Sequence, residues 1–320
     1  MDSWIVVDLF SGAGGFSKGF EEAGFEISLA VDMDDEALDS FAENFPNAIT
    51  MNKDIRFLRS EEIFSLLNGR PDVVIGSPPC EPFTAANSRR RRKPIDRLYM
   101  DEDGILVLHF IRIIGDLNPR IFVMENVPQL LNDDLRFMLE MEFARVGYKP
   151  ITFNILRAEE YGNPSVRTRL FISNIPLKPE KVNVEVTVAS ALKDLPNPYK
   201  YHTVPNHEPT PISERKIKRI SKLRWGHSLY TFSGAGGKFY KNWIRLHPYR
   251  RAPTVLGNSR FIHPFENRLL TVREQARLMG FPDHHIFKGS RESQYNQIGE
   301  AVPVPLARAI AICVRKYLEC

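Results

Sequence analysis

The chain has 320 residues, of which 43% are hydrophobic and 26% are charged, and its net charge at pH 7 is +4. This composition is typical of a globular protein with a sizeable core, and no apolar run reaches the roughly 18–20 residues that a membrane span requires. The three cysteines, at positions 80, 313 and 320, form no closely spaced pair, so we expect neither a metal site nor a disulfide framework. We therefore expect the chain to function in the reducing cytoplasm.

Short apolar runs alternate with longer amphipathic segments through the first 125 residues. Glycine, proline or acidic residues bound the apolar runs, which predicts strands, and the segments between them have the length and periodicity of helices. This alternation predicts an α/β fold with a doubly wound, mostly parallel sheet and helices on both faces. We predict strands at residues 5–10, 27–32, 48–52, 72–76 and 120–125, and helices at residues 16–23, 36–45 and 104–117.

The pattern changes after about residue 175, where seven prolines fall within residues 176–211 and the hydrophobic periodicity weakens. We expect a second, smaller domain in this region. Residues 200–251 contain twelve Lys or Arg and only two Asp or Glu, a net charge of +10 in a chain whose total is +4. This concentration predicts a polyanion-binding surface, although a solvated basic face has the same composition. Helical patterns return at residues 271–279 and 304–317.

Five polar residues occur at or just beyond the ends of predicted strands. In an open α/β sheet, ligands bind at the edge formed by the carboxyl ends of the strands. One acid in such a position is usually a cap of a turn or helix, but five along one edge predict a site. These residues are Asp8, Asp32, Asp54, Cys80 and Glu125.

A glycine-rich turn at residues 11–15 links the first strand to the first helix. Gly12, Gly14 and Gly15 let the backbone approach a ligand closely, which is compatible with a nucleotide-like molecule without being specific for one. Asp32 ends the next strand, where an acid can accept hydrogen bonds from ribose hydroxyls. Asp54 could accept a hydrogen bond from an exocyclic amine such as that of adenine.

Two prolines precede Cys80 in a loop that follows a buried strand. They restrict the backbone and hold a thiol at the ligand edge, as a nucleophile requires, although a lone cysteine is more commonly buried in a core. Glu125 ends the next clear strand and could act as a general acid or bind a ring nitrogen; the alternative is a capping role.

Arg167 and Arg169 alternate with apolar residues in the segment 166–172, which predicts that both project from one face of a strand. A pair of guanidinium groups could hold a phosphate or position a base. Ion pairs with acids at the edge of the core are an equally good interpretation.

Taken in order, these segments resemble the C5-cytosine methyltransferase family over nearly the whole chain. A single motif would be weak evidence, whereas six motifs in the family's order are specific. The matching segments are DLFSGAGGF (8–16), GSPPC (76–80), ENV (125–127), RTR (167–169), RAPTV (251–255) with LTVRE (270–274), and GEAVP (299–303).

The resemblance implies a Rossmann-like methyltransferase sheet and transfer of a methyl group from S-adenosylmethionine, with S-adenosylhomocysteine as product. It implies that Cys80 attacks C6 of a flipped-out cytosine, that Glu125 binds N3 and the exocyclic amine, and that Arg167, paired with Arg169, helps to hold the base and the Cys80 loop. Flipping is required because the faces of a stacked base are inaccessible. The cofactor site would be lined by Phe10, Gly12, Gly14, Asp32, Met33, Asp54, Ile55, Ser77, Pro78, Glu300 and Ala301.

Three positions depart from the pattern of the family. Glu81 and Ser165 each occupy a place where the family usually has glutamine, and Glu300 one where it usually has asparagine. The two acids add negative charge near the expected cofactor and DNA. We expect these changes to affect the rate and the substrate contacts while leaving the reaction class unchanged.

Double-stranded DNA is the expected substrate, as in restriction–modification. One branch of the family methylates tRNA and carries a Cys-Phe-Thr element, but the comparable segment here, residues 228–233, has no cysteine. tRNA methylation and a non-catalytic DNA-binding role are the alternatives. The resemblance places the catalytic domain at residues 1–175, completed by 269–320, and a small basic target-recognition domain at 176–268. We expect a monomer in the cytoplasm that is associated with the nucleoid when bound to DNA.

Overall fold

The computed structural model describes residues 4–67, 69–132 and 134–320, and a seven-stranded sheet forms its centre. The strands are β1 (Ile5–Leu9), β2 (Glu26–Asp32), β3 (Ile49–Asn52), β4 (Val73–Gly76), β5 (Ile121–Asn126), β6 (Thr152–Arg157) and β7 (Thr168–Ser173). In the order β3-β2-β1-β4-β5-β7-β6, the first five strands are parallel and β7 is antiparallel to both β5 and β6. The predicted doubly wound, mostly parallel sheet is therefore confirmed.

Helices cover both faces of this sheet and extend beyond it. They are α1 (Gly15–Glu22), α2 (Asp35–Asn44), α3 (Ser60–Leu67), α4 (Pro94–Tyr99), α5 (Leu106–Leu117), α6 (Leu135–Arg145), α7 (Val188–Leu192), α8 (Glu214–Ile220), α9 (Val272–Arg277), α10 (Arg291–Glu300) and α11 (Val304–Leu318). No single helix among the described residues is long and apolar enough to cross a membrane; the bent pair α10 and α11 meets the length and composition criteria only when taken together.

Neighbouring residues of the central strands enter two hydrophobic cores, one on each face of the sheet. On one face Val7 of β1 packs with the cluster that contains Phe110 of α5. On the other face Val6 joins the cluster of Phe20 from α1 and Leu306 from α11. Because α11 completes the second core, the C-terminal segment belongs to the same packing unit as the first strand.

A second sheet of three strands lies in the basic part of the chain. It comprises β8 (Ser228–Ser233), β9 (Phe239–Arg245) and β10 (Phe261–Ile262) in the order β10-β9-β8, and β8 and β9 form an antiparallel hairpin. A third core joins Leu246 and Phe261 of this region to Leu270 and Tyr295. The small sheet is therefore packed against the C-terminal segment.

The boundaries of several predicted elements differ from the observed ones for local reasons. The helix predicted at 271–279 begins at Val272 because Thr271 is its N-cap and forms a capping box with Glu274. The strand predicted at 166–172 begins at Thr168. Helix α6 was not predicted because Phe137 and Met141 are exposed. Apolar residues on both of its faces hide the helical period.

Candidate active site

The carboxyl ends of β2, β4 and β5 lie at one edge of the sheet. Asp32 is the last residue of β2, Glu125 is the penultimate residue of β5, and Cys80 follows β4 by four residues. The structure therefore brings these three predicted site residues to the same edge. Asp8 also lies at a strand end, as the penultimate residue of β1, but its side chain is fully buried and accepts a hydrogen bond from the Ser17 hydroxyl at 2.6 Å.

The glycine-rich turn is held to β2 by the carboxylate of Asp32. The backbone N–H of Gly12 donates to Asp32 Oδ2 at 2.7 Å, and the N–H of Asp34 donates to Oδ1 at 3.0 Å. Burial raises the pKa of Asp32, while these backbone hydrogen bonds favour the ionised form. Gly14 has a φ of 86°, and a Cβ there would lie 2.4 Å from the Phe45 ring. The turn therefore requires glycine at position 14.

The side chain of His285 also holds the glycine-rich turn. The sequence did not identify this residue. It is fully buried, with Nε2 2.9 Å from the carbonyl oxygen of Ala13, and burial lowers its pKa to about 3. The ring is therefore neutral, and because a carbonyl only accepts, Nε2 carries the proton. The contact spans 272 residues, so no local sequence pattern could reveal it.

The other residues expected to line the cofactor site have different environments. The Ser77 hydroxyl donates weakly to the carbonyl of Phe10 at 3.4 Å, which links the turn to the loop after β4. Met33 is 61% exposed, whereas Ile55 is buried in a core. Asp54 is bound by Arg56 through several hydrogen bonds of 2.6–3.0 Å, which lower the pKa of its carboxyl.

Cys80 lies in a tight turn, partly buried, with its carbonyl accepting the N–H groups of Phe83 and Thr84 at 3.0 Å. Burial raises the pKa of the Cys80 thiol to about 12, and the carboxylate of Glu81 adds to this effect. The guanidinium of Arg169 acts in the opposite direction. The free thiol is therefore protonated at neutral pH, and the thiolate needs additional stabilisation when it reacts.

We expect Glu81→Gln to accelerate alkylation of Cys80 by iodoacetamide about threefold at pH 8, because loss of the neighbouring carboxylate lowers the pKa of the thiol. The effect is small because Glu81 is exposed and water screens its charge. Mass spectrometry of the modified peptides would measure the rate, with exposed Cys320 as internal reference. An unchanged rate would show that Glu81 does not influence the thiol.

Glu125 and Arg169 form a buried ion pair beside the cysteine loop. Arg169 Nε lies 2.9 Å from Glu125 Oε1, and both side chains are at most 10% exposed. The N–H is not aligned for a hydrogen bond, so this oxygen has no hydrogen-bond partner among the described residues. Burial raises the pKa of Glu125, and Arg169 partly offsets the shift. The ion-pair interpretation of Arg169 is therefore the one that the structure favours.

Arg167 immediately precedes β7, and its side chain is buried. Its Nη1 donates to the carbonyl oxygens of Val255 at 2.7 Å and Gly299 at 3.0 Å. Burial lowers the pKa of this guanidinium to about 9. Only Arg169 belongs to β7 itself, but the charges of both arginines act on Cys80 and Glu125. Arg167 also joins the end of α10 to the segment that follows Arg251.

Two of the positions that depart from the family pattern have clear environments. Ser165 is buried, and its hydroxyl donates to the carbonyl of Leu278 at 2.8 Å, so it connects to the end of α9. Glu300 keeps an exposed side chain near other acids. Desolvation by the surrounding protein, followed by the negative charges of Glu81 and Asp34, raises the pKa of Glu300 to about 7.

Residues 5–314 match the C-5 cytosine-specific DNA methylase family. The protein M.MJ0563P of Methanocaldococcus jannaschii is 49% identical over 98% of this chain and 99% of its own length. The type II methyltransferase M1.HphI of Haemophilus parahaemolyticus is 35% identical over 98% of this chain and 87% of that protein. M.DdeI of Desulfomicrobium norvegicum, also a type II methyltransferase, is 32% identical over 98% of this chain and 89% of its length.

Solved structures have the same architecture. A prophage-encoded protein from E. coli superposes with a TM-score of 0.80 at 26% identity, covering 99% of this chain and 100% of that one. The Dnmt2 methyltransferase of S. pombe superposes with a TM-score of 0.66 at 18% identity, which shows a common fold alone. The order of the motifs, the strand-edge site and the family match agree: the chain belongs to the C5-cytosine-specific DNA methylase family and is a DNA (cytosine-5-)-methyltransferase related to the methyltransferases of type II restriction–modification systems.

Proposed function

We propose that the chain methylates C5 of a cytosine flipped out of double-stranded DNA, with S-adenosylmethionine as methyl donor, Cys80 as nucleophile and Glu125 as proton donor. The observation that carries this proposal is the meeting of thiol, buried carboxyl and Asp32-held glycine turn at one sheet edge. Each group alone has a simpler structural explanation. Together they provide a nucleophile, an acid and a nucleoside-binding surface at one edge of the sheet.

The residues at the β1 and β2 ends suit an adenosyl group. Asp32 already accepts backbone hydrogen bonds, and its carboxylate could also accept hydrogen bonds from ribose hydroxyls. When bound, S-adenosylmethionine supplies an electrophilic methyl group on a sulfonium. Asp54 also belongs to the proposed cofactor site. Arg56, which binds the Asp54 carboxylate, would release or share that carboxylate when the adenosyl group binds. The full set that we propose for the cofactor is Phe10, Gly12, Gly14, Asp32, Met33, Asp54, Ile55, Ser77, Pro78, Glu300 and Ala301.

We expect Asp32→Asn to weaken binding of S-adenosylmethionine about tenfold, because an amide is a poorer acceptor for hydroxyls and for the Gly12 N–H. Isothermal titration calorimetry without DNA would measure the dissociation constant. Glu26→Gln, an acid-to-amide change at the exposed start of the same strand, is the matched control and should leave affinity unchanged. Equal affinities for the Asp32 variant and the native chain would remove Asp32 from the site.

Cys80, as the thiolate, would begin the reaction by forming a bond from its sulfur to C6 of the cytosine. The electron pair of the C5–C6 double bond then moves to C5, which forms a bond to the donor's methyl carbon as the bond from that carbon to the sulfonium sulfur breaks. The leaving group is S-adenosylhomocysteine. A base removes the C5 proton, the C5–C6 double bond re-forms, and Cys80 leaves as a thiolate. The turn around Cys80 keeps the sulfur in place through these steps, because its carbonyl is already held by two backbone N–H groups.

Glu125 would protonate or hydrogen-bond N3 as negative charge develops on the ring. Its raised pKa favours the protonated form that this role requires. Arg169 would orient the carboxyl through the 2.9 Å contact between Arg169 Nε and Glu125 Oε1. Arg167, which contacts carbonyl oxygens on two segments, would hold the walls of the site together and act as a positioning residue.

Residues 176–268 are proposed as the target-recognition domain, and residues 1–175 with 269–320 as the catalytic domain. The net charge of the segment 200–251 supports phosphate contacts there. A second basic run, Arg89 to Lys93, lies in the loop that follows Cys80, and four of its five side chains are exposed or nearly so. We also propose that the chain acts as a monomer, in the cytoplasm and on the nucleoid.

The experiment that tests this function is transfer of labelled methyl groups from S-adenosylmethionine to duplex DNA and, in parallel, to bulk tRNA. Label in DNA as 5-methylcytosine at a defined site is the expected result. Label only in tRNA would overturn the substrate while keeping the chemistry. Cofactor binding without transfer to either would indicate a non-catalytic relative and overturn the mechanism.

A further inference from the structure

The loop that carries Cys80 is in direct main-chain contact with the small sheet. The N–H of Ala235, in the turn of the β8–β9 hairpin, donates to the carbonyl oxygen of Ala85 at 2.9 Å. The preceding Gly234 packs so closely that a Cβ there would lie 2.8 Å from the same oxygen and 2.4 Å from the Tyr240 ring. The hairpin turn is therefore in direct backbone contact with the loop, and there is no space for a side chain at position 234.

Ala85 is linked rigidly to the nucleophile. The carbonyl of Cys80 accepts two hydrogen bonds from within the turn, and the carbonyl of Glu81 accepts one from the Asn87 side chain at 3.0 Å. The carbonyl of Phe83 is held by Arg90 at 2.8 Å. Since the carbonyls of residues 80, 81 and 83 are all bound within the loop 80–90, we expect this loop to move as a unit and to transmit a shift at Ala85 to Cys80.

The hairpin at the other end of the contact is basic and also internally rigid. Phe232 and Tyr240 stack across its two strands with ring centroids 5.5 Å apart. Lys238 lies over the Tyr240 ring at 5.7 Å, and Lys241 is exposed on β9. Because the hairpin is held together internally, phosphate or base contacts along its strands would shift it as a whole. Its turn, and the Cys80 loop that the turn contacts, would shift with it.

We propose that Gly234 and Ala235 are positioning residues that couple target recognition to catalysis, by holding the Cys80 loop through the hydrogen bond between Ala235 and Ala85. DNA that seats correctly on the hairpin would place Cys80 against the flipped cytosine, and DNA that seats poorly would leave it displaced. The inference rests on the proposed function, because it takes Cys80 as nucleophile and residues 176–268 as the recognition domain.

Ala235→Pro tests the coupling because it removes the N–H and places the proline Cδ where that hydrogen lay, against the Ala85 oxygen, so the contact is broken. Ala235 is the first residue of a short 3₁₀ helix, where proline is well tolerated, and Gly234 has the extended φ and ψ of −98° and −169° that suit a residue before proline. Ala235→Gly keeps the N–H and is the matched control. Gly234→Ala is an independent variant that keeps every N–H but presses a methyl group against the Ala85 oxygen.

For Ala235→Pro and Gly234→Ala we expect kcat at the target site to fall about fivefold, as for loss of one hydrogen bond, and the preference for that site over single-mismatch sites to fall similarly. The affinity for S-adenosylmethionine should stay within about twofold, which verifies folding. Ala235→Gly should behave like the native chain. If kcat and site preference in Ala235→Pro equal those of Ala235→Gly, the coupling is refuted.

Alkylation of Cys80 by iodoacetamide, without DNA, separates failure of this inference from failure of the proposed function. Release of the loop should make Cys80 react about fivefold faster in Ala235→Pro, while exposed Cys320 reacts at an unchanged rate. Faster Cys80 alkylation in a chain that methylates no DNA would support the contact and reject the proposed function. Unchanged alkylation with normal methylation would reject the contact alone.

Discussion

Cys80→Ala is expected to abolish methyl transfer to DNA, lowering kcat by more than about 10³-fold, with affinity for S-adenosylmethionine kept within about twofold. The loss is large because the C5 carbon of cytosine is a poor nucleophile until a bond forms at C6. Cys80 is the thiol that the structure places at the ligand edge. Cys313 is buried within α11, and Cys320 is exposed just beyond that helix, so neither lies at the sheet edge that holds Glu125. Neither can therefore replace it.

Cys320→Ala is the matched control, because it removes a thiol of the same chain at an exposed position. It should methylate DNA at the native rate. Both variants would be assayed with labelled donor on the same duplex. Activity of Cys80→Ala above about a tenth of the native value would exclude covalent attack by this residue.

A trapping experiment gives the same prediction a second readout. Duplex DNA with 5-fluorocytosine at the target site has no proton at C5 that a base could remove, so the sulfur–C6 bond cannot break after methyl transfer. The native chain should form a covalent adduct that survives denaturing electrophoresis, and the Cys80→Ala variant should form none. An adduct in the variant would identify a different nucleophile.

The central fold was predictable because its elements carry local signals. The buried strands β4 and β5 have continuous apolar runs, Val73–Ile75 and Ile121–Met124, as strands covered on both faces must have. The Thr271–Glu274 capping box predicts the start of helix α9. Helices α3 and α10 were missed, since α3 is only eight residues long and the polar sequence of α10 lacks an apolar stripe. In both helices, packing against neighbouring elements determines the conformation.

The identity of the site residues was predictable, whereas their partners were not. Cys80 and Glu125 follow from residue type at a strand end and from the order of the motifs. The pairing of Glu125 with Arg169 depends on β5 and β7 being neighbours, which chain order alone does not specify. Arg167 illustrates the same limit, because its acceptors lie 88 and 132 residues away. Contacts of such separation are set by the tertiary structure.

Glu125→Gln is the second prediction with a large expected effect, a fall in kcat of about 10²-fold or more. An amide has nearly the same shape as a carboxyl but cannot give a proton to N3, so negative charge on the ring would be less stabilised. Glu81→Gln is the matched control, since it makes the same chemical change in the exposed neighbour of the nucleophile. It should not lower kcat. Equal, modest losses in the two variants would refute a specific role for Glu125.

The pH dependence distinguishes this role from a purely structural one. Burial raises the pKa of Glu125 above its ordinary value, while the pKa of Cys80 is about 12. At a pH above the pKa of Glu125 and below that of Cys80, a rise in pH increases the fraction of thiolate and decreases the fraction of protonated carboxyl by the same factor. The rate of the native chain should therefore not change with pH in this range. In Glu125→Gln only the thiolate fraction changes, and the rate should rise about tenfold per pH unit. A flat profile in the variant would mean that Glu125 carries no catalytic proton and that its loss acts through the geometry of Arg169.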